Sequence, residues 1–530
     1  MILLTILSLL VLLIYLKLIK PLSYWKDRGV VHKKPWPLVG NSSDIFFQRK
    51  SFFQFVKDIY NEFPNDRYFG VHQFNSPALY IRDLDLIKTI AIKDFDYFTD
   101  HVTFVSEQIE PLMAKNLFNL KGQQWRDMRS TLSPTFTSNK MKMMFGFISE
   151  CAQEVIKYLE NHTEDLHDIE IKDVFTRYTN DVIASVAFGV KCNSLEDTAN
   201  TFYEMGKDAM TVGGEKFIKL AIFNYFPLLA KVFNPKLLPA PVSKFFRSII
   251  TETLAKRENE GFVRKDMIHL LLEVRKGKLT DDDDANTQET GYATVAETNL
   301  HRSAKKRFIE LTEEDIAAQS LLFFFAGFES SGSLMSFISY ELAINEDIQN
   351  KLLQEIDETL NNSHGKITYE ELFKMKYLDM VVSETLRKWT TGFQIDRECV
   401  KNYTIEPVNA WEKPVVIEKG TLVLFPVIGI HHDPKYFPNP DVFDPERFSD
   451  ENKQNVKHNL YFPFGVGPRS CIGSRFALMQ TKILMFYLLS KFKIFKTDKT
   501  PIPLTIDKKA FLVLGPAEGF WLGLKLRNEN

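Results

Sequence analysis

The sequence predicts a mainly α-helical chain with small β-sheets, preceded by an N-terminal transmembrane helix. Three observations predict it: an apolar opening run, helical periodicity that dominates beyond residue 50, and short β-rich pieces beside the later prolines. The 530 residues are 45% hydrophobic and 25% charged, the balance of a globular chain with a large core. The net charge of −2 gives no electrostatic footprint for nucleic acid. No repeat and no second composition class divides the chain past residue 50. The expected organisation is an anchor at 1–20, a Pro-containing linker at 21–50 and one large domain at 51–530.

The opening run "ILLTILSLLVLLIYLKLI", residues 2–19, carries one charge, Lys17. As a helix it reaches ~27 Å, enough for a bilayer core. A cleaved signal peptide wants basic residues before the run and a small-x-small site after it, and neither is present. The positive charges follow instead: Lys17, Lys20, Lys26, Arg28, Lys33 and Lys34. Positive-inside logic puts the body in the cytosol behind an uncleaved signal anchor. Next, "KKPWPLVGN" (33–41) has two prolines that stiffen the chain.

The longest helical run is "TEEDIAAQSLLFFFAGFESSGSLMSFISYELAI", where Thr312 and Asp315 have capping-box spacing. Thr368 and Glu371 have the same spacing at "TYEELFKMKYLDMVVSETLRKW". "TLVLFPVIGI" (421–430) is β-rich. Segment 276–306 is polar, holds four consecutive aspartates and reads as an exposed loop. Cys151, Cys192, Cys399 and Cys471 are far apart, which argues against a disulfide framework and for a reduced, cytosol-facing compartment. Cys471 has no partner two or three residues away, so it is not half of a zinc knuckle.

Four short patterns follow in order. In "WRDMR", Trp125 and Arg129 share one helical face. In "AGFESS" (326–331) an acid and two hydroxyls interrupt a phenylalanine-rich helix; they mark either a tolerated irregularity or a kink beside a reactive centre. In "ETLR", Glu384 and Arg387 have salt-bridge spacing among apolar neighbours, and Arg447 of "DPERF" is a candidate third member. Finally, Phe464, Gly467, Arg469, Cys471 and Gly473 fit F-x-x-G-x-R-x-C-x-G.

These patterns together resemble the cytochrome P-450 haem-thiolate monooxygenases over essentially the whole chain. "LSPTFTS", "DVIASVAFG" and "HHDPKYFPNPDVFDPERF" resemble the branch that unites insect family nine with vertebrate family three, and point to insect family nine. The resemblance implies the cytochrome P-450 fold and haem b bound through Cys471 as axial thiolate. A thiolate pushes electron density to iron and favours O–O cleavage. It implies a tight loop tuned by Gly467 and Gly473, with Phe464 shielding the sulfur. Arg469, Trp125, Arg129 and Arg397 are similar to the family's propionate-binding residues. Glu329 and Ser330 match its acid–alcohol pair, which orders protons for oxygen activation. The alcohol is commonly threonine; here it is serine, with a freer χ1. Thr390 and Thr391 stand where many relatives have two prolines.

The implied electron donor is the membrane-bound NADPH–cytochrome P-450 reductase, with cytochrome b5 as a further candidate. Arg126, Lys140 and Lys142 are candidates for attracting it, although ordinary surface charge explains them too. The implied place is the endoplasmic reticulum membrane, with the catalytic domain on the cytosolic face. The leading expectation is oxygen insertion into an apolar xenobiotic such as a plant toxin or insecticide. The alternatives are a dedicated endogenous lipid or hormone substrate, a peroxide-rearranging enzyme that needs no acid–alcohol pair, and a non-catalytic haem sensor or carrier. Phe118, Phe323, Phe324 and Phe393 fall where the family contacts ligands, though each is equally a core residue.

Overall fold

The structure is a computed structural model. It describes residues 2–102, 107, 110–162, 166–210, 236, 238–261, 263–277, 292–293, 311–363, 366–410, 412–456, 460–510 and 513–527. The four-aspartate run of the polar segment lies outside the described residues.

Helix α1 (Ile2–Ile14) runs on through a wider π-type turn at Tyr15–Ile19. The described side chains of α1 are exposed: Ile2 is 79% and Leu3 81% exposed. Within 21–50, expected as a linker, Trp25, Val30 and Asn41 are buried against the body, while Trp36, Leu38, Phe46 and Phe47 are exposed. Trp25 is fully buried, and its Nε1 donates to the Val71 carbonyl at 2.8 Å. The Lys33 N–H donates to the Gly70 carbonyl at 3.0 Å. A buried indole with its N–H satisfied, plus main-chain bonding, outweighs the stiffness signalled by Pro35 and Pro37.

Trp25 seats on the first strand of a mixed sheet. Strands β1 (Tyr68–Gln73) and β2 (Ser76–Ile81) form an antiparallel hairpin with Tyr68 opposite Ile81. An 11-residue helix, Phe52–Glu62, precedes this hairpin, and the helices that build the site's walls follow it: α2 (Gly122–Leu132), α3 (Ser138–Asn161) and α4 (Ile171–Phe188). Strands β3 (Ile395–Glu398) and β4 (Leu422–Phe425) complete the first sheet in the order β1-β2-β4-β3. β2 and β4 are parallel, with Ala78 opposite Leu422. The predicted β-rich run 421–430 is a strand only in its first half. At Pro426, which has no N–H to donate to a ladder, the chain turns into a short helix, Val427–His431.

The long apolar helix is split. α5 (Glu313–Phe328) and α6 (Ser330–Ile344) meet at Glu329. Thr312 and Asp315 close a capping box at the start of α5, as Thr368 and Glu371 do at Tyr369–Lys374. Together α5 and α6 are long and apolar enough to cross a membrane, but they are largely buried as a core element. α4 packs against both, and α3 packs against α8 (Ser474–Lys491), which follows the cysteine loop. α7 (Lys376–Lys388) carries the Glu384–Arg387 pair. The second sheet is three-stranded: β6 (Trp521–Leu526) lies between β5 (Phe492–Lys496) and the short strand Ile169–Glu170. The result is mainly helical with small sheets, as the sequence predicts.

Candidate active site

A cavity of about 450 Å³ gathers most of the predicted residues. Trp125 and Arg129 enter from α2, Ser330 from the α5–α6 break and Arg397 from β3. Phe464, Arg469, Cys471 and Gly473 come from the loop before α8. Of the four cysteines only Cys471 is among the lining residues.

The cysteine loop is built by main-chain bonds. The Cys471 N–H donates to the Phe464 carbonyl at 2.8 Å, and the Ser470 N–H to that of Gly467 at 3.0 Å. Gly467 has φ +75°, and a Cβ there would sit 2.1 Å from the Ala91 carbonyl oxygen. Its glycine is required by a neighbouring segment as well as by the turn. Gly473 differs: a Cβ there meets nothing nearer than Phe136 at 3.9 Å, because it faces the cavity. The Cys471 sulfur is accessible although protein surrounds the residue, because its accessible surface opens into the cavity. Burial pushes its thiol pKa up, against the Gly473 N–H and the Arg129 charge, which pull it down. A bound metal ion would reverse that balance by displacing the proton.

One wall is strongly cationic. Burial, and for Arg469 also repulsion from Arg397, depresses two guanidiniums: Arg397 to about 10 and Arg469 to about 9. Arg397 donates to the carbonyls of Asp396 and Val466, while its buried Nε has no hydrogen-bond partner. Arg129 Nη1 donates to the Ser470 carbonyl at 3.0 Å. Arg469 reaches the carbonyls of Thr99, Leu117, Phe118 and Leu120, so its loop staples those segments together. Its guanidinium lies 4.1 Å from the Trp125 ring centroid, a cation–π contact the sequence does not announce. Buried cations with a donor to spare fit the carboxylates of a haem. A cradle at Gly473 and an accessible sulfur fit its iron.

The helix break has visible causes. Thr179 Oγ1 of α4 donates to the Phe328 carbonyl at 2.5 Å, and Ser330 Oγ donates back to the Ala326 carbonyl. Such side-chain bonds to helix carbonyls compete with the ladder and bend it. Ser330 lines the cavity, whereas Glu329 is half-buried beside it and does not.

The Glu384 network stands apart from the cavity. Both oxygens of Glu384 accept from Arg387, at 2.7 and 2.8 Å, and both residues are fully buried. Arg447 approaches to 3.4 Å through an Nε that makes no hydrogen bond; the Asp444 N–H is the third donor instead, at 3.0 Å.

Of the four phenylalanines, Phe118 and Phe323 line the cavity. Phe324 points into an aromatic core with Phe202, Phe246 and Phe328, and Phe393 packs edge-on against Phe52. The structure adds residues the sequence reading missed. His101 stacks on Phe118 and its Nδ1 donates to Asp396 at 3.0 Å. Asp396 also accepts the Val102 N–H. Gln480 of α8 bonds Ser331, and both line the cavity. Only the acid beside Arg397 hinted at any of these contacts.

A helical body with small sheets, in which a glycine-framed cysteine loop and a broken central helix face one cavity, defines a haem-thiolate protein. Comparison with known proteins agrees: residues 31–522 match the family model "Cytochrome P450", and the chain belongs to that family. It is 44% identical to "Cytochrome P450 9e2" of Blattella germanica, over 95% of this chain and 94% of that one. It is 39% identical to "Probable cytochrome P450 9f2" of Drosophila melanogaster, over 95% of each, and 37% identical to "Cytochrome P450 6a2" of the same fly, over 94% of each. The protein is a cytochrome P-450 monooxygenase, similar to insect family-nine members, and its cofactor is haem held by a cysteine thiolate.

Proposed function

We propose that this monooxygenase inserts one atom of dioxygen into apolar small molecules, foremost xenobiotics such as plant toxins or insecticides. The observation that carries the reading is that Cys471 and Ser330 line one cavity whose remaining walls include Phe118, Ile183, Val186, Leu322 and Phe323. Such walls favour apolar ligands by removing their surface from water. Haem b would supply the reductive activation of dioxygen and the insertion of one of its atoms, the other leaving as water. Cys471 holds the iron, Phe464 keeps water from the sulfur, and Arg129, Trp125, Arg397 and the remaining N–H of Arg469 bind the propionates. Ser330 gives its own proton to the Ala326 carbonyl, so its oxygen lone pairs are left to order a cavity water. Glu329, outside the lining, relays protons to that water from the solvent side.

Electrons come from NADPH through the cytochrome P-450 reductase, with cytochrome b5 as a second donor. Arg126, Lys140 and Lys142 form the docking surface, where the Arg126–Asp96 and Lys142–Glu370 pairs exchange for a partner's acids. Residues 1–20 anchor the chain in the endoplasmic reticulum membrane, and the catalytic domain lies on the cytosolic face. The uncovered apolar side chains of α1 support this. The test is turnover of a panel of apolar compounds with reductase, NADPH and ¹⁸O₂. Products that carry one labelled oxygen are expected. Label drawn from water, or turnover without NADPH, overturns the reading.

A further inference from the structure

Most polar side chains lining the cavity are committed to other protein groups. Ser330 is bonded to a carbonyl, Ser331 to Gln480, His101 to Asp396, and the arginines to main-chain oxygens, their spare donors being those assigned above to the haem carboxylates. Gln394 is different. It lines the cavity just before β3, and its Oε1 accepts from the hydroxyl of Tyr80 on β2. Tyr80 is 1% exposed, and no other hydrogen bond of its hydroxyl occurs among the described residues. A buried hydroxyl must place its proton on an acceptor. The oxygen end of the amide is therefore pinned to β2, which turns the Nε2 end away from it. Among the described residues that amino group has no partner.

We propose that Gln394 orients the substrate: its Nε2 donates to a carbonyl, ester or ether oxygen of an otherwise apolar molecule, and Tyr80 is the positioning residue that holds the amide in that attitude. The inference rests on the proposed oxidation of apolar molecules and narrows their class to those bearing a hydrogen-bond acceptor. A donor without a partner in an apolar cavity rejects a ligand that leaves it unpaired. One good hydrogen bond is worth roughly a three- to tenfold change in affinity.

The experiment titrates the full-length, haem-loaded protein with 2-decalone and with decalin, the same skeleton without the oxygen, and reads the Soret shift. The unsubstituted protein should prefer the ketone. Gln394→Leu should lower that preference roughly three- to tenfold and leave decalin binding and haem retention unchanged. Tyr80→Phe should lower it less, in the same direction. If Gln394→Leu loses haem, Gln394→Met, of similar volume, gives the same readout. A protein that binds both ligands alike, or neither, overturns the proposal. So does a variant that weakens both equally, which is a packing effect. Faster haem loss with the preference intact makes Gln394 a propionate donor instead. A protein without a thiolate-type spectrum fails the oxidation reading before this test begins.

Discussion

Replacing Glu384 with alanine removes the one carboxylate that holds two arginines. Glu384 and Arg387 are both fully buried. The carboxylate accepts two bonds from Arg387 and one from the Asp444 N–H, and has Arg447 at 3.4 Å. Arg387 would keep the carbonyls of His431 at 2.9 Å and Pro440 at 2.8 Å, but it would have no countercharge. Breaking a buried pair by deleting one partner costs about 3–5 kcal/mol. Against a total stability of about 5–15 kcal/mol, that lowers the folded-to-unfolded ratio by about two to three and a half powers of ten. Urea unfolding, followed by the Soret band and by tryptophan fluorescence, measures the loss. Arg447→Met should cost only about 1 kcal/mol, because its Nε makes no hydrogen bond to the carboxylate. The double variant Glu384→Leu/Arg387→Met should recover most of the stability, since well-packed apolar replacements avoid the unpaired charge. A Glu384→Ala protein within ~1 kcal/mol of the unsubstituted chain would refute the reasoning, because the deleted pair could then not have been carrying a buried charge.

Three further outcomes are expected. Cys471→Ser should abolish the red-shifted Soret band that reduced haem-thiolate protein gives with carbon monoxide, and an unchanged spectrum would assign the axial ligand elsewhere. Ser330→Ala should keep haem content and NADPH consumption but lower product per NADPH and raise peroxide, while Ser330→Thr, with its restricted χ1, should equal or exceed the unsubstituted protein; equal ratios in all three would make Ser330 a packing residue. His431 is buried, and burial followed by the Arg387 charge pushes its pKa down to about 3 from an ordinary 6.5. Below pH 6.5 the unfolded chain then binds a proton that the native state refuses, so stability falls with pH between 6.5 and 3 by up to about 1.4 kcal/mol per unit. Urea midpoints at pH 7.5 and 5.5 should diverge less in His431→Gln, by roughly 1 kcal/mol; an unchanged divergence would show that His431 titrates as in the unfolded chain.

The parts of this protein legible in the sequence are those whose chemistry is local. The capping residues, the glycine-framed cysteine and the Glu384–Arg387 pair each lie within about ten positions, and the structure forms each as written. The rest depends on partners far along the chain or on helical phase. "LLFFFAGF" is apolar on every side, so periodicity cannot say that Phe323 faces the cavity and Phe324, about 100° further round, faces the core. His101 finds Asp396 across 295 positions, and Tyr80 finds Gln394 across 314. The stretch 21–50 shows its prolines but not the groove on β1 that receives Trp25.

The departure at Thr390 and Thr391 joins these threads. Two prolines would fix φ through that turn and withdraw two N–H donors. Here Thr390 is fully buried with an unbonded hydroxyl, so that side chain does not hold the turn by hydrogen bonding. Its order comes from downstream, where the Ile428 N–H donates to the Phe393 carbonyl at 3.0 Å and Tyr80 bonds Gln394. A turn held at its far end by side-chain chemistry from β2 places its polar group where the sheet dictates. Substitutions at Tyr80, remote in sequence and outside the cavity lining, would therefore change substrate preference while leaving the haem site intact.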